Sequence, residues 1–254
     1  MQKISTVCST FKSAKRIKTL IDSFNSQTYS LKELILVDGS EKKKDYELML
    51  KNVKSFKNIR IFYLPSSSIY ECLNLGIDKS SGTIINIMGD DDQYYNKDIF
   101  RNISKTISSG VDYIYGDTIY QKNGKKTRYY KSFEKKKNLM TLAYMPSHTS
   151  LFVKKDIYNV LGNYNINYKI ASDLEFFFRL YNNKRYKYKY IKQVITIMSD
   201  GGTSNKSIKN ILKSNIEVYK ILNENKYNFI LVRIIIKLAL KYLMLLNFSS
   251  KKYE

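Results

Sequence analysis

The feature that most limits how this chain can fold is the regular alternation in its N-terminal third. Short apolar runs, KISTVCST, LKELILVDGS, IRIFYL and GTIINIM, are separated by stretches with helical spacing. AKRIKTLIDSFNSQ and the stretch around 46–54 fill the first two gaps, and IYECLNLGIDKS fills the third, with Ile69, Leu73 and Ile77 four residues apart. Strands joined through helices run parallel, because a parallel pair needs a crossover rather than a tight hairpin. The βαβαβαβ order therefore predicts an α/β fold with a mostly parallel central sheet and helices on both faces. Ligands in such sheets bind outside the carboxyl ends of the strands. Thr10, Asp38 and the run Asp90-Asp91-Asp92 all follow strand ends of that kind.

The pattern loosens further on. VDYIYGD predicts a strand, and TIYQKNGKKTRYY a hairpin through Asn123-Gly124. Residues 145–154 form a loop entering the strand SLFVK. SDLEFFFRLYNN predicts a helix that Ser172 could cap, and KYKYIKQVITIMS a long strand. A modest helix over 210–225 precedes FILVRIIIKLALKYLMLLNF, residues 229–248, in which Arg233, Lys237 and Lys241 recur every fourth position. Each cation at the centre of a spanning helix costs roughly 2.5–3.5 kcal/mol, so a membrane span is unfavourable. A basic amphipathic helix in the membrane interface fits the pattern. So does a helix packed on the body or on a partner.

Charge narrows the partners. The chain has 254 residues, 44 Lys+Arg against 22 Asp+Glu, and a net charge of +22. That excess favours nucleic acid, an anionic membrane face or phosphorylated substrates. An AT-rich genome would also enrich Lys, Asn, Ile and Tyr and remove Trp. A nucleic-acid-binding protein would cluster its cations with exposed aromatics, whereas here they are scattered. Cys8 and Cys72 lack metal-ligand spacing and His148 is the single histidine, which nearly excludes Cys/His zinc sites. Both thiols are expected to be buried, in a reducing compartment. MQKISTVCSTF is too polar and short for a signal peptide, so the chain is expected to stay in the cytosol.

Three constellations could carry chemistry. INIMGDDDQYY, residues 85–95, sets three carboxylates after an apolar strand. Such oxygens suit Mg²⁺ or Mn²⁺ bridging to substrate phosphates, although a solvated acidic loop has the same composition. Asp38 in LILVDGS could accept from a base or ribose, or belong to an ordinary Asp-Gly turn. Asp173 in KIASDLEFFFRL could act as a base, or cap its helix together with Ser172.

Their order is more informative than any one of them. STF, VDGS, IYECLNLGI, GDDD, MPSHTSLFVKKDIYNVLGNYN and IASDLEFFFRL resemble the family 2 glycosyltransferases over roughly residues 3–204. The likeness is to the bacterial branch that builds capsule and lipopolysaccharide sugars. The resemblance implies a GT-A fold, the nucleotide-diphospho-sugar transferase sheet flanked by helices, with a C-terminal helical extension. It implies a glycosyltransferase domain over 1–208, with 1–97 as the nucleotide-binding half and 98–208 as the acceptor-binding half. Residues 209–254 would form the extension, with 229–248 as a membrane-interface helix. Thr10, Phe11, Asp38, Asn74, Asp90, Asp91 and His148 would contact the nucleotide sugar. Asp92 would hold Mn²⁺ or Mg²⁺ on the diphosphate, in a register open by one residue, and Asp173 would be the general base of an inverting transfer. The implied partners are a UDP-linked nucleotide-sugar donor, a lipid-linked saccharide acceptor and the anionic inner face of the cytoplasmic membrane. The oligomeric state stays open, and a catalytically silent sugar-nucleotide-binding relative is the alternative within the resemblance.

The chain departs from the family pattern at Ser66-Ser67-Ser68, where a charged residue and a glycine are usual, and at Thr149, where Gln is usual. SDGGTSNKS, residues 199–207, would be a mobile lid or a simple turn.

Overall fold

The computed structural model describes residues 2–133, 142–200 and 207–250, with the backbone alone for 208 and 241–250. Most of the SDGGTSNKS segment and the Lys241 side chain lie outside that description.

The elements β1 (Ile4–Thr10), α1 (Lys18–Asn25), β2 (Lys32–Asp38), α2 (Lys43–Val53), β3 (Ile59–Tyr63), α3 (Ile69–Lys79) and β4 (Ile84–Ile87) follow the expected alternation. Next come β5 (Gln93–Tyr94), α4 (Ile99–Ile107), β6 (Tyr113–Lys122), β7 (Lys125–Tyr130), a 3₁₀ turn (His148–Ser150) and β8 (Phe152–Lys154). The order ends with α5 (Lys155–Leu161), α6 (Ser172–Asn182), β9 (Tyr188–Ser199), α7 (Ile208–Glu224) and α8 (Ile230–Ser250).

The strands form one sheet in the order β3-β2-β1-β4-β8-β6-β9-β5, with β7 on β6. The expected parallel pairing holds through β3-β2-β1-β4. Beyond β4 the sheet is mixed, because β8 enters antiparallel between β4 and β6. Two reversals restore the original direction, so β6 and its parallel neighbour β9 point the same way as β4. The C-terminal ends of β1, β2, β4 and β9 therefore share one edge.

Alternation along the strands fixes two cores, one on each face. Ile4, Cys8, Leu34, Leu36 and Ile84 meet α1, α2 and α4 on one face. Val7, Ile35, Val37, Ile85 and Ile87 meet α3, α5 and α6 on the other. Val218, Ile221 and Leu222 of α7 are buried in this second core, each at 0–1% exposure. Fully burying such a side chain contributes roughly 1.5–3 kcal/mol. Cys8 and Cys72 are free and buried, as expected.

Local chemistry explains the turns. Asn123 (φ 50°) and Gly124 (φ 76°) both take positive φ, which matches the twist of the β6–β7 hairpin. Ser68 and Glu71 form a reciprocal cap at the start of α3, which gives part of the unusual serine run a structural task. The expectation for Ser172 is corrected. It is the first residue of α6 rather than its cap, and its buried Oγ has no partner.

Candidate functional site

The three aspartates do three different things. Asp90 is tied down by the loop after β1: the Ser13 hydroxyl donates to it, and Arg16 Nε donates to its Oδ2 at 2.8 Å. Arg16 also reaches the Phe11 carbonyl at 3.0 Å, so Asp90 organises the turn that carries Phe11. The helix α1 starts at Lys18, later than the sequence pattern suggests.

Asp92 is buried at 3% exposure. Its Oδ2 accepts the N–H of Gly89 at 3.2 Å and its Oδ1 that of Ser199 at 3.0 Å. The approach is so close that a Cβ on Gly89 would lie 2.5 Å from Asp92 Oδ2. Burial, and then the charge of Asp91, push the Asp92 carboxyl up to about 7 against the pull of the two N–H groups. Asp91 is half-buried, and its carbonyl accepts the Ser199 hydroxyl at 3.0 Å.

These residues fit a hard divalent cation in the chemistry of their donors. Asp92 presents carboxylate oxygens where its own negative charge is resisted, so a cation would relieve the site. Asp90 is already neutralised by Arg16. Among the described residues no group of three or more His, Cys, Asp or Glu side chains is arranged to hold a metal. One or two carboxylates plus substrate phosphates is the usual way Mg²⁺ is held.

At the neighbouring strand ends, Thr10 Oγ1 donates to Asp38 Oδ2 at 2.8 Å, and Asp38 Oδ1 accepts Ser40 N–H at 3.1 Å. Both residues are closed to solvent, at 1% and 0% exposure, so they shape this corner from beneath. Phe11, the next residue after Thr10, is 46% exposed. Asn74 is directed elsewhere: both ends of its amide engage the backbone of Tyr164, at 2.8 and 2.9 Å. Its position in α3 ties that helix to the loop ahead of α6.

Asp173 lies in the first turn of α6, and its Oδ1 accepts its neighbour Leu174 N–H at 2.8 Å. Its Oδ2 is 3.6 Å from His148 Nδ1, an electrostatic contact rather than a hydrogen bond. Both side chains stay partly open, at 29% and 34%. Enclosure of the His148 ring lowers its basicity, and the opposing pull of Asp173 is the smaller effect. The Tyr70 hydroxyl, 3.5 Å from Asp173 Oδ1, donates to the Ile170 carbonyl at 2.7 Å.

Two adjacent residues of β9 join the halves of this edge. Ser199 holds Asp92, and Met198 Sδ accepts the Ser147 hydroxyl at 3.1 Å, one residue before His148. Sequence reasoning missed Ser13, Arg16, Tyr70 and Ser199, whose partners are distant in sequence. Ser68-x-x-Glu71, by contrast, carries a local capping signature.

The chain that builds this edge is similar to proteins of known kind. The family model described as glycosyl transferase family 2 matches residues 5–184, and the chain belongs to that family. The PGL/p-HBAD biosynthesis glycosyltransferase of Mycobacterium bovis (strain BCG / Pasteur 1173P2) is 26% identical over 207 residues, covering 79% of this chain and 78% of that protein. Among solved structures, S. aureus TarS 1–349 in complex with UDP-GlcNAc superposes with a TM-score of 0.65 at 17% identity, over 87% of this chain and 71% of that one. In the structure of TarS 1–349 alone, the match spans 65% of that chain, just under two thirds of its length. Mannosyltransferase PcManGT of Pyrobaculum calidifontis, in complex with GDP-Man and Mn²⁺, gives 0.63 at 12% identity over 99% of this chain and 76% of its own. The protein is a glycosyltransferase, and its curled mixed sheet flanked by helices is of the GT-A type.

Proposed function

We propose that the chain transfers a sugar from a UDP-linked donor to a lipid-linked saccharide, with inversion at the anomeric carbon, in surface glycan synthesis. The observation that carries this reading is the short path from Asp92 through Ser199, Met198 and Ser147 to His148 and Asp173. It sets an acidic diphosphate edge beside a solvent-reachable carboxylate. Structural neighbours in complex with UDP-GlcNAc or with GDP-Man and Mn²⁺, and a relative named a PGL/p-HBAD biosynthesis glycosyltransferase, support the substrate class.

In this reading residues 1–97 bind the donor, 98–208 the acceptor, and 209–254 form the extension. The exposed Phe11 ring takes the nucleobase, over the floor made by Thr10 and Asp38. Asp91 contacts the ribose or sugar, and Asp90 acts through the loop it anchors. Asp92 holds Mn²⁺ or Mg²⁺, which supplies charge stabilisation for the departing diphosphate. Asp173 takes the proton of the acceptor hydroxyl as that oxygen bonds to the anomeric carbon. The bond from that carbon to the phosphate oxygen breaks, and the electron pair leaves with the nucleoside diphosphate. His148, whose enclosure lowers its basicity, contacts the nucleotide sugar or the acceptor beside Asp173.

The acceptor side implies a membrane. Phe229 is 79% exposed, Leu231 67% and Ile235 65%. Arg233 and Lys237 are half-buried on the other side of α8, where Arg233 Nε donates to the Asn228 carbonyl at 2.6 Å. No helix among the described residues is long and apolar enough to cross a membrane. An outward aliphatic face on a protein of charge +22 suits an anionic bilayer, where each nearby Lys or Arg contributes about 1 kcal/mol. We assign the chain to the cytoplasmic face on that basis.

The test is a panel of UDP-glucose, UDP-galactose, UDP-GlcNAc and GDP-mannose. Mn²⁺-dependent release of nucleoside diphosphate from a UDP sugar is expected. Release from none of the four, with no Mn²⁺-dependent binding, contradicts the reading and favours a catalytically silent relative.

A further inference from the structure

We infer that Glu217, on α7 and beyond the family-matched residues 5–184, is a positioning residue for Asp173. The inference rests on the reading of Asp173 as the base.

A helix start leaves backbone N–H groups without partners, and they need an acceptor. At the start of α6 the local side chains supply one such acceptor, Asp173 Oδ1, which takes the N–H of Leu174. Ala171 offers no side-chain cap, and Ser172 Oγ is buried without a partner. The amides of the segment leading into the helix, residues 169–171, find their acceptor in Glu217 on another helix. Its Oε1 accepts Lys169 N–H at 2.9 Å, and its Oε2 accepts those of Ile170 and Ala171, each at 2.8 Å. One carboxylate thus binds three consecutive amides immediately ahead of the turn that carries Asp173. Such charge-assisted bonds are stronger and more directional than neutral ones.

The strap is held from its other side as well. Tyr70 of α3 donates to the Ile170 carbonyl at 2.7 Å, and the same hydroxyl lies 3.5 Å from Asp173 Oδ1. Tyr168 donates to Glu224 Oε2 at 2.7 Å, a second tie to α7. Glu217 itself is 6% exposed, and its neighbours Val218, Ile221 and Leu222 anchor α7 in the core. The clamp is therefore rigid at both ends. Its geometric effect is to fix where the Asp173 carboxylate stands relative to the His148 loop.

Glu217 touches neither donor nor acceptor in this account, so its removal should act on the chemical step and spare donor binding. The experiment compares full-length wild type, Glu217→Ala, Glu217→Gln, Asp173→Asn and the double variant Glu217→Ala/Asp173→Asn, well below their melting temperatures. The substrate is the panel nucleotide sugar that wild type turns over, with Mn²⁺, and UDP binding is measured by calorimetry. Misplacement of a reacting group by about 1 Å costs about 10²-fold, so Glu217→Ala should lower kcat by that order. Donor KM and UDP affinity should stay within about twofold of wild type, since the transition state alone is affected. Glu217→Gln keeps one acceptor oxygen for the Ile170–Ala171 pair and should recover part of the loss. In the Asp173→Asn background, Glu217→Ala should add nothing, because the two act as a unit. If circular dichroism shows Glu217→Ala unfolded, Glu217→Gln carries the test, with lowered kcat at unchanged UDP affinity expected. Wild-type kcat in the folded Glu217 variants, or a full additive loss in the double variant, overturns the inference while Asp173→Asn stays inactive. An active Asp173→Asn instead removes the base reading, and the inference with it.

Discussion

The Asp92 carboxylate accepts the backbone N–H of Ser199 at 3.0 Å, across 107 positions of sequence. This bond pins the end of β9 to the acidic triplet and leaves Met198 beside Ser147. It also sits on a carboxyl whose pKa is lifted to about 7, chiefly by burial.

Cation binding should therefore release protons. Near pH 7 the free Asp92 carboxyl is about half protonated, and a bound cation requires it ionised. Calorimetric titration of Mn²⁺ with UDP, in buffers of different ionisation enthalpy, should show about half a proton released per ion near pH 7 and almost none by pH 9. Affinity should rise with pH through about 7 and then level off. Affinity and proton release that are flat with pH would move the metal to Asp91.

Glu33 governs stability at the opposite end of the strands. Burial alone would raise its pKa, yet hydrogen bonds from Ser5, Ser81 and Lys3 outweigh it and hold the group at about 2. A depressed carboxylate stabilises the native state above its unfolded value near 4.5 and loses that contribution as pH falls toward 2. The amount is about 3 kcal/mol. Urea unfolding of Glu33→Gln at pH 7 should show most of that loss, and the gap from wild type should close between about pH 4.5 and 2.

The outward face of α8 should anchor the protein. Leu231→Asp with Ile235→Asp should weaken binding to phosphatidylserine-containing vesicles at least tenfold, while nucleotide-sugar turnover in solution is retained. Undiminished vesicle binding would place the contact elsewhere. Deleting 229–254 is the coarser version of this test, and it spares Glu217.

The βα alternation and the two-faced core were legible because strand and helix periods are local properties of sequence. The two-residue β5 was not, since it depends on Tyr94 bonding Thr6 and Asn86 from inside the core. The acidic triplet was visible, but three identical residues in a row cannot be told apart until Arg16 claims Asp90 and Ser199 claims Asp92. The spacing of Arg233 and Lys237 showed a cationic face without showing that it turns inward, where Arg233 lies over the Tyr227 ring at 5.5 Å. Glu217 was invisible for the same reason as Ser199: its three partners lie 46 to 48 positions away.

Asp173→Asn tests the central claim most directly. The substitution keeps the shape of the side chain and removes the proton acceptor. UDP affinity with Mn²⁺ should stay within about twofold of wild type, while turnover of the UDP sugar falls by about 10²-fold or more. Turnover at the wild-type rate with donor binding intact would contradict the account, because the transfer would then not depend on Asp173 as its base.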